Sequence, residues 1–165
     1  MIREATIYDA ARTAEIEVIS CRFAYKHILS DEYLTQELSV ESRVPVHTRW
    51  IREKSFEIYV YEDADAGIIR GMMGIGMCGD DDKKDAFELH FLYVDPDFLR
   101  MGIGSEMLQF FEEKGREKSC PEFVIWVLEE NGIGISFYQK HNYFPDGKEK
   151  IFRRWNKREI RYRKG

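Results

Sequence analysis

Cysteine is scarce in this chain. Its 165 residues hold three, Cys21, Cys78 and Cys120, an odd number at wide spacing. They offer no disulfide framework and no Cys/His metal pattern, so a reducing, cytoplasmic setting without a metal site is expected. Long apolar runs are missing as well; a membrane helix needs about 20 such residues in a row. The opening stretch MIREATIYDA has none of the regions of a signal peptide. Positive charge is not in excess: the formal net charge is −5. That is the wrong sign for a protein built to hold a phosphate backbone, so neither nucleic acid nor membrane is an expected partner. An acidic balance suits small cationic amines weakly and solubility in general. Repeats, linkers and low-complexity tracts are also lacking. Residues 1–165 are therefore expected to form a single domain with a real core.

What is present is organised around residues 87–109, FELHFLYVDPDFLRMGIGSEMLQ. Phe87, Leu89, Phe91 and Tyr93 alternate with Glu88, His90, Leu92 and Val94. Both faces are largely apolar, as in a strand buried on both sides. Asp95-Pro96 ends the ladder, because proline has no N–H to give. Gly102 and Gly104 allow a tight turn and a close approach to a ligand. From Ser105 the apolar positions Met107, Leu108, Phe110 and Phe111 recur at helical spacing. A glycine turn feeding a helix N-terminus is an anion site, which predicts that this loop holds a pyrophosphate.

On either side of this stretch the pattern predicts a strand at Ile2–Ile7 and a helix capped by Asp9, with an apolar stripe of Ile16, Ile19 and Phe23. A short helix capped by Ser30 or Asp31 and another helix over 41–54 follow. Strands are expected over 56–61 and 68–78, with Gly79–Asp85 as a charged turn. After the central helix, to about Lys118, come a buried strand at Phe123–Leu128, an Asn131-Gly132 turn and a short helix over 133–140. Phe144–Lys148 then leads through Pro145-Asp146-Gly147 to a last strand over about 151–163. That strand is strongly basic and reads as a solvated edge, or as a surface for phosphates or an acidic partner. Gly74-Ile75-Gly76-Met77-Cys78-Gly79 matches GxGxxG in form. It opens no helix and runs into Asp80-Asp81-Asp82, which excludes a dinucleotide site. These aspartates lack the ligand alternation of a calcium loop and read as an exposed turn.

The segment Leu99-Arg100-Met101-Gly102-Ile103-Gly104 resembles the acyl-CoA-binding motif of the GNAT superfamily of N-acetyltransferases, Gln/Arg-x-x-Gly-x-Gly/Ala between strand and helix. Leu99 stands at the family's polar position, and Arg100 beside it carries a charge. The later Asn131 and Phe137-Tyr138, and the order β-α-α-β-β-β-α-β-α-β-β, extend the resemblance over nearly the whole chain. It implies an α/β fold: a mixed, mostly antiparallel seven-stranded sheet flanked by about four helices, with a splayed central parallel pair. It also implies acetyl-CoA as cosubstrate, bound by Leu92, Tyr93, Val94, Leu99, Arg100, Met101, Gly102, Ile103, Gly104, Ser105, Asn131 and Tyr138. Pantetheine pairs with the free strand edge. The N–H of Leu92 falls where it polarises the thioester carbonyl, a contact worth roughly 2.7–4 kcal/mol of barrier.

An alkylammonium, with a pKa of about 10, must lose a proton before attack. Glu88, four residues before Leu92, has the spacing of the family's general base, its pKa raised by burial; a solvent-facing strand glutamate is the alternative. His90 is a relay candidate. Tyr138 matches the family tyrosine that protonates the thiolate, with a core aromatic as the alternative. Tyr25, His27 and Tyr33 are acceptor-wall candidates by the same resemblance, together with Glu88 and His90; aromatics packing a helix seam are the plainer reading. The acceptor expected is a small-molecule amine or a protein N-terminus, and a homodimer is possible. The competing functions are a non-catalytic acyl-CoA-binding module and an interaction domain built on the basic C-terminal strand.

Overall fold

The computed structural model describes residues 1–165. Its elements in chain order are β1 (Ile2–Glu4), α1 (Ala10–Ala24), α2 (Val40–Glu53), β2 (Glu57–Asp63), β3 (Ile68–Met77), β4 (Phe87–Val94), α3 (Ile103–Glu117), β5 (Phe123–Leu128), α4 (Gly132–Lys140), β6 (Phe144–Phe152) and β7 (Lys157–Lys164). A π-helical turn at Tyr33–Glu37 precedes α2. The strands form one seven-stranded sheet in the order β1-β2-β3-β4-β5-β7-β6. β4 and β5 run parallel, from Phe87↔Phe123 to Leu89↔Ile125. The pairs β1/β2, β2/β3, β5/β7 and β6/β7 are antiparallel. This is the mixed, mostly antiparallel architecture that the resemblance implies.

The chain divides into two compact units. The first is Met1–Ile75 with Phe91–Phe111, and the second is Gly76–His90 with Glu112–Gly165. In the first unit Ala5, Ile16, Ile58, Val60, Ile69 and Met72 form a buried cluster with Trp50, Phe56, Phe91 and Tyr93 packed on it. Alternation in β2, together with a register shift to β3 between Tyr61 and Glu62, brings Ile58, Val60, Ile69 and Met72 to one side of the sheet. The expected α1 stripe is only partly right, because Phe23 is 47% exposed. The inner face of α1 instead carries the polar Thr13, Glu17 and Ser20, all buried. Asp9 does stand at the N-cap of α1, but its carboxylate accepts from Thr6 N (2.7 Å) and Arg3 Nη1 (2.9 Å) rather than from the helix.

In the second unit two expectations are corrected. Pro145-Asp146-Gly147 is not a connection. It lies inside β6, where the register to β7 shifts between Pro145 and Glu149. β6 ends the strand order, an edge position where proline loses no ladder bond. Gly147 takes φ +91°, as a bulge requires. The hairpin turn falls instead at residues 153–156, where Asn156 adopts φ +51°. As a result β7 is an inner strand, not an edge. Its Arg161 is 2% exposed and binds Asp80 (2.9 Å), Asp82 (2.7 Å) and Asp146 (2.8 Å). Asp80 and Asp82 are thus counter-ions of a buried arginine rather than an idle turn.

Candidate active site

The loop between β4 and α3 belongs to the first unit. Asp95 ends β4 and is buried. Its Oδ1 accepts from Asp97 N at 3.1 Å, and its Oδ2 accepts from Arg12 Nη2 at 2.5 Å. Arg12 Nε also donates to Ile69 O at 3.0 Å, so one guanidinium ties the exit of β4 to β3. The Ser20 hydroxyl donates to Val94 O at 3.1 Å. Phe98 packs under Arg70, whose Cζ lies 4.0 Å from the ring centroid. Leu99, Arg100 and Met101 are then exposed, with Arg100 at φ +62°. Gly102 takes φ +87°, and a Cβ built on it meets nothing within 4 Å. The backbone conformation therefore favours glycine there, while the space in front is open.

α3 begins at Ile103, anchored by the buried Ile103, Met107, Leu108 and Phe111. Its first i→i−4 bond runs from Glu106 N to Gly102 O, 3.0 Å. The amides of Ile103 and Gly104 precede that bond, in the part of a helix that has no intrahelical acceptor. An open glycine turn at the positive end of a 15-residue helix can hold a pyrophosphate. Leu92, Tyr93 and Val94 lead directly into this loop on β4 and are half-buried.

Tyr25, His27 and Tyr33 all lie in the connection between α1 and α2. Tyr25 caps α1 and accepts from Ile28 N and Leu29 N, both 2.9 Å. His27 is exposed, and Tyr33 is half-buried at the start of the π-helical turn.

The second unit carries the acid–base candidates. Glu88 is buried, and its Oε1 lies 3.3 Å from His90 Nδ1. Burial pushes the Glu88 carboxyl up, but the His90 hydrogen bond, the charges of His90 and Lys150 and a bond from Cys78 outweigh it. The group sits below the ordinary carboxylate range. This corrects the expected upward shift: Glu88 is held as an ionised acceptor. Burial raises the neighbouring Cys78 thiol to about 12, which leaves it no nucleophilic character. Tyr138 is half-buried on α4, with its ring 5.2 Å from Phe137 and 6.2 Å from Tyr143. Burial raises its phenol, so it keeps its proton. Asn131 is the N-cap of α4, its Oδ1 accepting from Gly134 N at 3.0 Å.

Sequence reasoning missed Arg12, Ser20 and Asp95 as supports of the loop. No local signal marks them, since Arg12 and Asp95 are 83 residues apart.

The fold is thus an α/β one with a mixed sheet; the first unit carries a glycine turn at a helix N-terminus, and the second a buried strand carboxylate and a tyrosine that burial keeps protonated. Residues 22–143 match the model of the Acetyltransferase (GNAT) family, and the chain belongs to that family. It is 27% identical over 152 residues to the spermidine N(1)-acetyltransferase of Thermoplasma acidophilum, covering 86% of each chain. Among solved structures it resembles the PaiA N-acetyltransferase of the same organism, crystallised with coenzyme A. That match has a TM-score of 0.74 and 21% identity, over 98% of this chain and 96% of the other. It also resembles YncA of Salmonella typhimurium, solved with acetyl-CoA, with a TM-score of 0.69 and 18% identity over 99% and 92%. At those identities the two structures speak for the fold.

Proposed function

We propose that this chain is an acetyl-CoA-dependent N-acetyltransferase, acting as one domain over residues 1–165 and passing an acetyl group directly to a primary amine. The observation that carries the reading is the open turn at Gly102, at φ +87°, directly ahead of the N-terminus of α3. Acetyl-CoA supplies an acetyl group already activated as a thioester. Leu99, Arg100, Met101, Gly102, Ile103, Gly104 and Ser105 would hold the pyrophosphate, chiefly through backbone N–H groups. Leu92, Tyr93 and Val94 would pair with pantetheine, aided by Asn131. The Leu92 N–H polarises the acyl carbonyl. Glu88 Oε1, held ionised, takes the proton of the incoming ammonium, with His90 as its partner. Tyr138 Oη keeps the proton that the departing sulfur takes. Tyr25, His27 and Tyr33 would line the acceptor wall.

The acceptor is a small-molecule amine or a protein N-terminus. The 27%-identical relative, named for spermidine, favours the small molecule. The test is acetyl-CoA-dependent thiol release against a panel of amines, amino acids and N-terminal peptides. Release with one acceptor class supports the reading and names the acceptor. A CoA-induced thermal shift without release from any acceptor would replace it with an acyl-CoA-binding role.

A further inference from the structure

On the face of the second unit's sheet that carries Glu88, the register brings together groups the mechanism does not use. Glu88 faces Val124 across β4 and β5. Two residues on, Trp126 of β5 faces Arg161 of β7, and Leu128 faces Glu159. Glu159 in turn faces Lys150 of β6. Side chains at paired and alternate positions share a face, so Glu88, Trp126, Glu159 and Lys150 form one surface.

The indole is fixed. Trp126 Nε1 donates to Asp80 Oδ2 at 3.1 Å, and Asp80 is bound to the buried Arg161. The Lys150 ammonium stands over its ring, 4.0 Å from the centroid. Lys150 itself is exposed on the edge strand β6. Its charge favours the ionised forms of both Glu88 and Glu159, while burial and the charge of Glu88 push Glu159 up. Two carboxyls and an aromatic face thus share one exposed cation, the composition of an alkylammonium site.

We propose that Trp126 and Glu159 form a recognition site for a second, non-reacting ammonium group of the acceptor, occupied by the chain's own Lys150 until the acceptor displaces it. This rests on the acetyltransferase reading for its place in turnover, and on the Trp126–Lys150 geometry for binding itself. An acceptor with two ammonium groups a few methylenes apart would set one over Trp126 beside Glu159 and present the other to Glu88.

The experiment compares 1,4-diaminobutane with n-butylamine as acceptors for the parent, Trp126→Leu, Trp126→Phe, Glu159→Gln and Lys150→Gln. Trp126→Leu and Glu159→Gln should raise KM for the diamine about five- to tenfold with kcat nearly constant, the size of a partly desolvated cation–π or charged contact. Trp126→Phe, which keeps a π face and loses the bond to Asp80, should restore most of the affinity. Lys150→Gln should lower the diamine KM severalfold relative to that of butylamine. Parallel shifts for the two amines, or a diamine KM indifferent to Lys150→Gln, would overturn the proposal. Calorimetric binding of 1,4-diaminobutane to the protein alone separates the two readings. Tighter binding to Lys150→Gln than to the parent supports the site even if no amine turns over, and no binding to either overturns it.

Discussion

Glu17 Oε2 on α1 lies 2.6 Å from His47 Nε2 on α2, and both side chains are buried. The same oxygen accepts from Arg43 Nε at 2.7 Å, and His47 Nδ1 meets Thr13 Oγ1 at 2.9 Å. The histidine ring also packs on Trp50 at 4.9 Å. The joint between the two helices is therefore polar rather than an apolar seam, with Arg43 Nη2 its one buried nitrogen left without a hydrogen-bond partner. Removing one member leaves a buried charge without its partner. Glu17→Ala should cost about 3–5 kcal/mol, read from urea denaturation at pH 7. A loss under about 1 kcal/mol would show that the network is energetically neutral.

The same carboxylate predicts a pH dependence. Burial pushes Glu17 up, but the bonds and charges of His47 and Arg43 outweigh burial and hold it at about 2. The unfolded chain then takes up this proton before the folded chain does. Its contribution is complete above the ordinary carboxylate pKa and fades as pH falls toward about 2. Urea midpoints of the parent should decline between about pH 5 and pH 2, and those of Glu17→Ala should decline less. Parallel curves for the two proteins would remove Glu17 from the acid sensitivity.

At Gly102 the backbone and the space in front of it make separable demands. A Cβ meets nothing, yet φ is +87°. Asparagine tolerates such a conformation better than other side chains. Gly102→Asn should keep most of the stability and weaken CoA binding moderately. Gly102→Glu should abolish the CoA-induced thermal shift by setting bulk and negative charge before the α3 amides. A normal shift in Gly102→Glu would overturn the pyrophosphate assignment.

The loop and its flanking elements were legible because each signal is local. Alternation marks β4, Asp95-Pro96 stops it, and helical spacing starts α3. Glu17–His47 and Arg161 with its aspartates were not legible. Glu17 and His47 lie 30 residues apart, and Asp80 and Asp82 lie 81 and 79 residues from Arg161, where only tertiary packing joins them. Pro145-Asp146-Gly147 misled for the opposite reason. Its turn chemistry is real, but at a sheet edge it makes a bulge instead of a reversal. The buried carboxylate of Glu88 was readable in position but not in charge state. The groups that outweigh its burial include His90 two residues on, but also Cys78 just past β3 and Lys150 on β6.

That charge state shapes the next expectation. Because Glu88 lies below the ordinary carboxylate range, it stays ionised throughout pH 6–9. The rise of rate with pH over that window then belongs to the acceptor amine, and Glu88 helps most where the amine is most fully protonated. Glu88→Gln should lower the rate most below neutral pH and steepen the profile. A profile unchanged in shape and height would place the base elsewhere.

Tyr138 is held protonated by burial, which suits an acid and excludes a base. Its ring packs between Phe137 and Tyr143, contacts that phenylalanine preserves. Tyr138→Phe therefore removes a proton and little else. A positioned acid contributes about 10²–10⁴-fold, so kcat should fall by at least about a hundredfold while the Kd for acetyl-CoA stays within about twofold. Since the phenol remains protonated through pH 10, the parent should show no alkaline loss of activity from this group below that pH. Equal kcat in mutant and parent would strip Tyr138 of the acid role. A large rise in Kd with kcat intact would recast it as a residue that binds the cosubstrate.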